Sequence, residues 1–126
     1  MKILVPIDLN DASKAVYDYA LQFAERIEAN VTLLHIINSV HNTSDIIGYD
    51  PYVEMEKAAK KRLSEFTSTS SDQGDVLVKN VHTFTDVVFG IPGITIVEYA
   101  ESNDFDIIIM GVRDKHGFFD RILGSA

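Results

Sequence analysis

Ile107-Ile108-Ile109-Met110-Gly111 leads into Val112-Arg113-Asp114-Lys115-His116-Gly117-Phe118-Phe119-Asp120-Arg121-Ile122-Leu123 and then Gly124-Ser125. A β-branched apolar run that stops at a glycine predicts a buried strand entering a loop. The Gly-Ser pair predicts the opening of a helix. Strand, loop and helix start in that order are how α/β folds hold phosphates. Glycine lets the backbone approach the anion, and N–H groups at the helix start face it. Asp114 sets a fixed negative charge in the middle of that loop.

The same cadence runs through the upstream chain. Ile3-Leu4-Val5-Pro6-Ile7 predicts a strand buried on both faces, as in parallel sheets. Asp8-Leu9-Asn10-Asp11 carries turn and N-cap chemistry. Ala12, Ala15, Val16, Tyr19, Ala20, Phe23 and Ile27 recur at helical spacing and predict an amphipathic helix over 11–28. After Asn30, Val31-Thr32-Leu33-Leu34-His35-Ile36-Ile37 predicts a second buried strand. A long polar loop over 38–49 ends at Asp50-Pro51, a cap followed by proline at the first helical position. Tyr52, Met55, Ala59, Leu63 and Phe66 line the next helix.

A Ser/Thr-rich connector over 67–75 precedes a third strand over 76–85, where the alternation is irregular. Gly90-Ile91-Pro92 opens a third helix carrying Ile94, Val97 and Ala100, and Asn103-Asp104 stops it. The fourth strand covers 105–110. The order β-α-β-α-β-α-β means an α/β fold with a parallel sheet and right-handed crossovers. Ligands in such folds sit beyond the carboxyl ends of the strands. Asp8, Ile36 and Gly111 are expected to share that crevice.

With 126 residues, one domain is expected over 1–126. Nineteen acidic against eleven basic side chains give a net charge of −8. That argues against nucleic acid, which is held mostly by Lys and Arg, and against an anionic membrane surface. The absence of cysteine excludes disulfides, thiolate metal sites and a cysteine nucleophile. No stretch approaches the ~20 apolar residues of a membrane span, and the N-terminal run is too short for a signal peptide. A cytoplasmic protein is expected. The four histidines show no metal-site spacing, and His35, within an apolar strand, reads as a hydrogen-bonded core residue. Lys57, Lys60, Lys61 and Arg62 among Glu54, Glu56 and Glu65 read as a solvated, ion-paired face. No nucleophile elbow, Walker loop or recognisable base–nucleophile pair is present, so no catalytic residue is assigned.

Four landmarks in order make the chain resemble the universal stress protein family. Lys2-Ile3-Leu4-Val5-Pro6-Ile7-Asp8 resembles its first strand and closing acid, and 31–37, with Leu-Leu-His, its second strand. Gly90-Ile91-Pro92 resembles the Gly-x-Pro of its third helix, and 105–111 its fourth strand and first loop glycine. The resemblance implies a Rossmann-like three-layer sandwich of the adenine-nucleotide α-hydrolase type, with strand order 3-2-1-4-(5). The fifth strand is missing from this sequence, which leaves the fourth with an open edge and suggests a piece of a longer protein.

The resemblance also implies an adenine-nucleotide site. Asp8 and Ile36 would hold the adenine, Gly111, Gly124 and Ser125 would face the sugar and phosphates, and Pro6, Ile7, Met110 and Asp114 would complete the nucleotide site. The family's nucleotide-binding pattern is Gly-x2-Gly-x9-Gly-Ser/Thr, and Asp114 stands at its second glycine. Two unit charges 4 Å apart cost ~1 kcal/mol in water and ~4 at an effective dielectric of 20. Asp114 therefore weakens the case for ATP. Three readings remain: a stress-response module binding ATP or another adenine nucleotide, an interaction module with a closed cleft, and a weak ATPase. A homodimer or a tandem second domain is the expected partner.

Overall fold

A computed structural model describes residues 1–38, 51–67, 75–78 and 80–111. In chain order the elements are β1 (Lys2–Pro6), α1 (Asp11–Ile27), β2 (Asn30–Asn38), α2 (Pro51–Phe66), β3 (Asp75–Val78), β4 (Val81–Gly90), α3 (Pro92–Ser102) and β5 (Ile107–Ile108). They build one sheet in the order β3-β4-β2-β1-β5. β4, β2, β1 and β5 are parallel, and their order is the expected 3-2-1-4.

Alternation along each strand separates two apolar faces. Ile3, Val5, Val31, Leu33 and Val87 join Tyr17, Leu21 and Ala24 of α1 and Ala59 and Leu63 of α2. Leu4 and Leu34 point the other way and meet Ile96 and Ala100 of α3. Helices cover both faces, so the three-layer sandwich is observed. Each fully buried Leu or Ile contributes roughly 1.5–3 kcal/mol, and Ile3, Leu4, Leu21, Leu33, Leu34 and Leu63 are all in that state.

Three expectations change. The segment read as a single third strand is a hairpin: β3 runs antiparallel to β4, with Val78 opposite Val81. Asn80 turns the chain with φ 63°, a left-handed conformation that asparagine tolerates. β3 is an additional antiparallel strand at the far edge of the sheet from β5, so the irregular alternation reflects two strands. The fourth strand is paired only over Ile107–Ile108, and Asp106 and Ile109 add single backbone bonds to Lys2 and Leu4. It is the edge of the sheet among the described residues.

The helix faces also rotate relative to the expectation. On α3 the inward residues are Ile96 and Ala100, whereas Ile94 and Val97 are 58% and 52% exposed. On α1 the buried row is Ser13, Tyr17, Ala20, Leu21 and Ala24, with Ala12, Ala15 and Tyr19 outside. Apolar residues occur on more than one side of both helices, so spacing alone does not fix which side meets the sheet. On α2, Ala59 and Leu63 are buried and Tyr52 and Phe66 half-buried, but Met55 is exposed. Lys57–Glu54 and Lys60–Glu56 pair on its outer face at 3.9 and 3.0 Å, as expected. Arg62 instead donates to the Leu9 carbonyl at 2.5 Å. No helix among the described residues is long and apolar enough to cross a membrane.

Candidate nucleotide crevice

Parallel pairing puts the carboxyl ends of β2, β1 and β5 side by side. Pro6 ends β1 opposite Leu34, and the Ile7 N–H continues the ladder to the Leu34 carbonyl at 2.9 Å. Ile36 lies two residues further along β2 and is half-buried. His35 Nδ1 meets the Ile7 carbonyl at 3.1 Å, tying the end of β1 to β2. This is the structural role expected of His35, and it holds the Ile7–Asp8 backbone in place.

The turn after β1 is organised by α1. Asn10 is the helix cap: its Oδ1 accepts from the Ser13 N–H at 3.0 Å and the Ser13 hydroxyl at 3.1 Å. The Ser13 Oγ in turn accepts from the Asp8 N–H at 3.2 Å. Asn10, rather than Asp8, therefore supplies the cap. Leu9 makes the turn with φ 60° and buries its side chain.

From β5, the Ile109 N–H bonds to the Leu4 carbonyl at 2.9 Å, and Met110 packs beside Leu4 and Leu34. Gly111 comes up against Val16 of α1. A Cβ on residue 111 would overlap the Val16 Cγ2 methyl, so any side chain there forces Val16 to shift. Asp8 is bound to Ser13 and Gly111 touches Val16, one helical turn apart. Pro6, Ile7, Asp8, Ile36, Met110 and Gly111 thus lie at one end of the sheet. Asp114, Gly124 and Ser125 lie outside the described residues, as do Phe118, Phe119, His41 and His116.

The sequence that builds this crevice matches the universal stress protein family model over residues 1–126. The chain belongs to the universal stress protein family.

This universal stress protein chain is 30% identical to universal stress protein A homolog 1 of Coxiella burnetii, over 98% of its own length and 83% of the relative's. It superposes on a universal stress protein of Lactobacillus plantarum with a TM-score of 0.61 at 25% identity, covering 92% of this chain and 81% of that one. A universal stress protein solved in complex with cAMP shares the fold with a TM-score of 0.56 at 19% identity, over 98% of this chain and 84% of that one. Sequence reasoning had no signal for the Ser13 and Val16 contacts of this universal stress protein, because both are helix residues whose roles depend on where α1 is docked. Among its described residues no three His, Asp or Glu side chains group to hold a metal ion.

Proposed function

We propose that this chain is a stress-response binding module that holds an adenine nucleotide at the carboxyl ends of β2, β1 and β5. The observation that carries the reading is the joint placement of Asp8 and Gly111. A half-buried acid with its backbone anchored by Ser13 lies at the same strand ends as a glycine with no room for a side chain. The base would lie along Pro6, Ile7, Asp8 and Ile36. The sugar would pass Met110 and Gly111, and the phosphates would reach Asp114, Gly124 and Ser125. A fold neighbour solved with cAMP supports an adenine nucleotide as the ligand class. The nucleotide supplies a conformational signal, and no side chain here is assigned to its hydrolysis.

Calorimetric titration with ATP, ADP and AMP tests this. Micromolar binding of any of the three is the expected result, and heat-free titrations with all three would refute it. In the family's loop pattern Asp114 stands where the phosphates would pass, so its like charge would oppose a lengthening phosphate chain and AMP is expected to bind more tightly than ATP. Asp114→Gly strengthens ATP binding, by up to several hundredfold if the full ~4 kcal/mol is relieved. Unchanged ATP affinity in that variant would remove the charge argument.

A second reading, an assembly module forming a homodimer or pairing with a tandem domain, is favoured by the edge position that β5 holds among the described residues. Ile108 on that strand is 41% exposed. An open strand edge is a pairing surface. Light scattering that finds one species at monomer mass across concentration would count against it.

A further inference from the structure

A second cleft opens on the face that α3 covers, running from Lys2 at the start of β1 to Asp86, which lies beside Leu34 at the level of Pro6. Lys2, Thr32, Phe84 and Asp86 enter it from three neighbouring strands, and Tyr99 and Phe105 enter from α3 and the segment after it. Its volume is about 330 Å³, at the small end of ligand-binding pockets.

Its chemistry is a carboxylate among aromatic rings. Asp86 Oδ1 accepts from the Val87 N–H at 2.8 Å, and Oδ2 accepts from the Tyr99 hydroxyl at 2.6 Å. These two neutral donors orient the carboxylate without neutralising it. Among the described residues no Lys, Arg or His lies within 4.0 Å of Asp86 to pair with it. Strapping α3 to the sheet does not by itself require the carboxylate charge, since a neutral amide can also bond a phenol, though more weakly than a carboxylate does.

The walls suit an organic cation. The Tyr99 and Phe105 rings stack at 5.8 Å, and Phe84 is 38% exposed. Lys2 shows in place what these rings accept: its ammonium lies 4.7 Å from the Phe105 centroid and donates to the Asn103 carbonyl. Aromatic faces attract ammonium groups through the ring quadrupole. Phe105 therefore already has its cation, whereas among the described residues Asp86 has no basic group within 4.0 Å, and Lys2 is the cation that shares the cleft. The net charge of −8 raises the local concentration of cations.

We propose that this cleft binds a small organic monoamine, its ammonium on Asp86 and its apolar body against Phe84, Tyr99 and Phe105. The cleft is lined by different residues from the crevice, and the proposal stands whether or not a nucleotide is bound.

The test is an amide-resolved NMR titration of the isotope-labelled chain with phenethylammonium and with 2-phenylethanol, its uncharged counterpart. The amine is expected to bind with a Kd of about 1 mM or tighter, shifting the amides of Val87, Asn103 and Phe105. The alcohol is expected to bind at least about tenfold more weakly. Asp86→Asn keeps one acceptor oxygen for the Val87 N–H, while its amide NH2 can donate to the Tyr99 oxygen in place of the lost acceptor, and it is expected to weaken the amine at least about tenfold. Phe105→Leu leaves the Asp86 strap intact, keeps the test open if the first variant unfolds, and is expected to weaken the amine severalfold. Equal binding of amine and alcohol, amine affinity retained in both variants, shifts confined to Asp8 and Gly111, or no shift at all would each overturn the proposal.

Discussion

Gly111 rests against Val16 so closely that even one added carbon at residue 111 would occupy the space of the valine methyl. This contact couples the end of β5 to the second turn of α1 and holds the crevice backbone in register. Gly111→Ala must push α1 or the loop away, and overpacking of this kind typically costs 1–3 kcal/mol. Val16→Ala in the same chain vacates the methyl position and is expected to recover most of that loss. Urea unfolding of the two single variants and the double variant measures the coupling, and strictly additive losses would show that the contact does not matter.

Tyr99 is expected to make stability fall in alkali. Burial raises its phenol above the usual value near 10, and the hydrogen bond to Asp86 and the Asp86 charge raise it further. Between the unfolded and folded values the unfolded chain has lost a proton that the folded chain keeps. Stability is therefore complete below about pH 10 and declines above it. Tyr99→Phe should cost about 1–2 kcal/mol at neutral pH through the lost bond and flatten the decline above pH ~10. A variant with an alkaline limb as steep as the parent's would contradict this.

Tyr17 presents the opposite case, a hydroxyl that stability does not need. The residue is 3% exposed, and its oxygen has no hydrogen-bond partner among the described residues. Burial raises its phenol; Thr83 is near enough to temper that effect but is not aligned as a bonded partner. Removing an unsatisfied buried hydroxyl is neutral or favourable. Tyr17→Phe is expected to change stability by between 0 and about +1 kcal/mol, whereas Tyr17→Ala leaves a cavity and costs about 3–5 kcal/mol. Thermal melts of the pair decide it, and a phenylalanine variant losing as much as the alanine variant would refute it.

Asn10 holds both the α1 start and, through Ser13, the Asp8 backbone. Asn10→Ala should cost about 1 kcal/mol, as helix caps do, and should also weaken any nucleotide held at Asp8. Asn10→Ser should restore both, since serine caps equally well. Affinity unchanged in the alanine variant would separate the cap from the site.

Much of the fold was legible before any coordinates. The 3–7 and 31–37 runs are continuously apolar, and only a strand covered on both faces needs that pattern. Pro51 and Pro92 open α2 and α3 as expected, because proline lacks the N–H that a first helical residue leaves unused. The hairpin at Asn80 was hidden because a tight turn between two short strands looks like one strand with a faulty period. Asp8, Ile36 and Gly111 were legible as strand-end residues, but Ser13, Val16 and the Asp86–Tyr99 pair were not. Each of those depends on a partner at least three residues away in the chain and, for Val16, almost a hundred.

Local order in the chain was enough to set the element types, the parallel sheet and the end where a ligand crevice forms, because periodicity, caps and crossover handedness are properties of short segments. Docking decided the rest. Which side of α1 and α3 faces the sheet, why residue 111 has no space for a side chain, and why a carboxylate on β4 meets a phenol on α3 all follow from how helices pack over strands. That packing is set by the summed shape of many distant side chains, which no single stretch encodes.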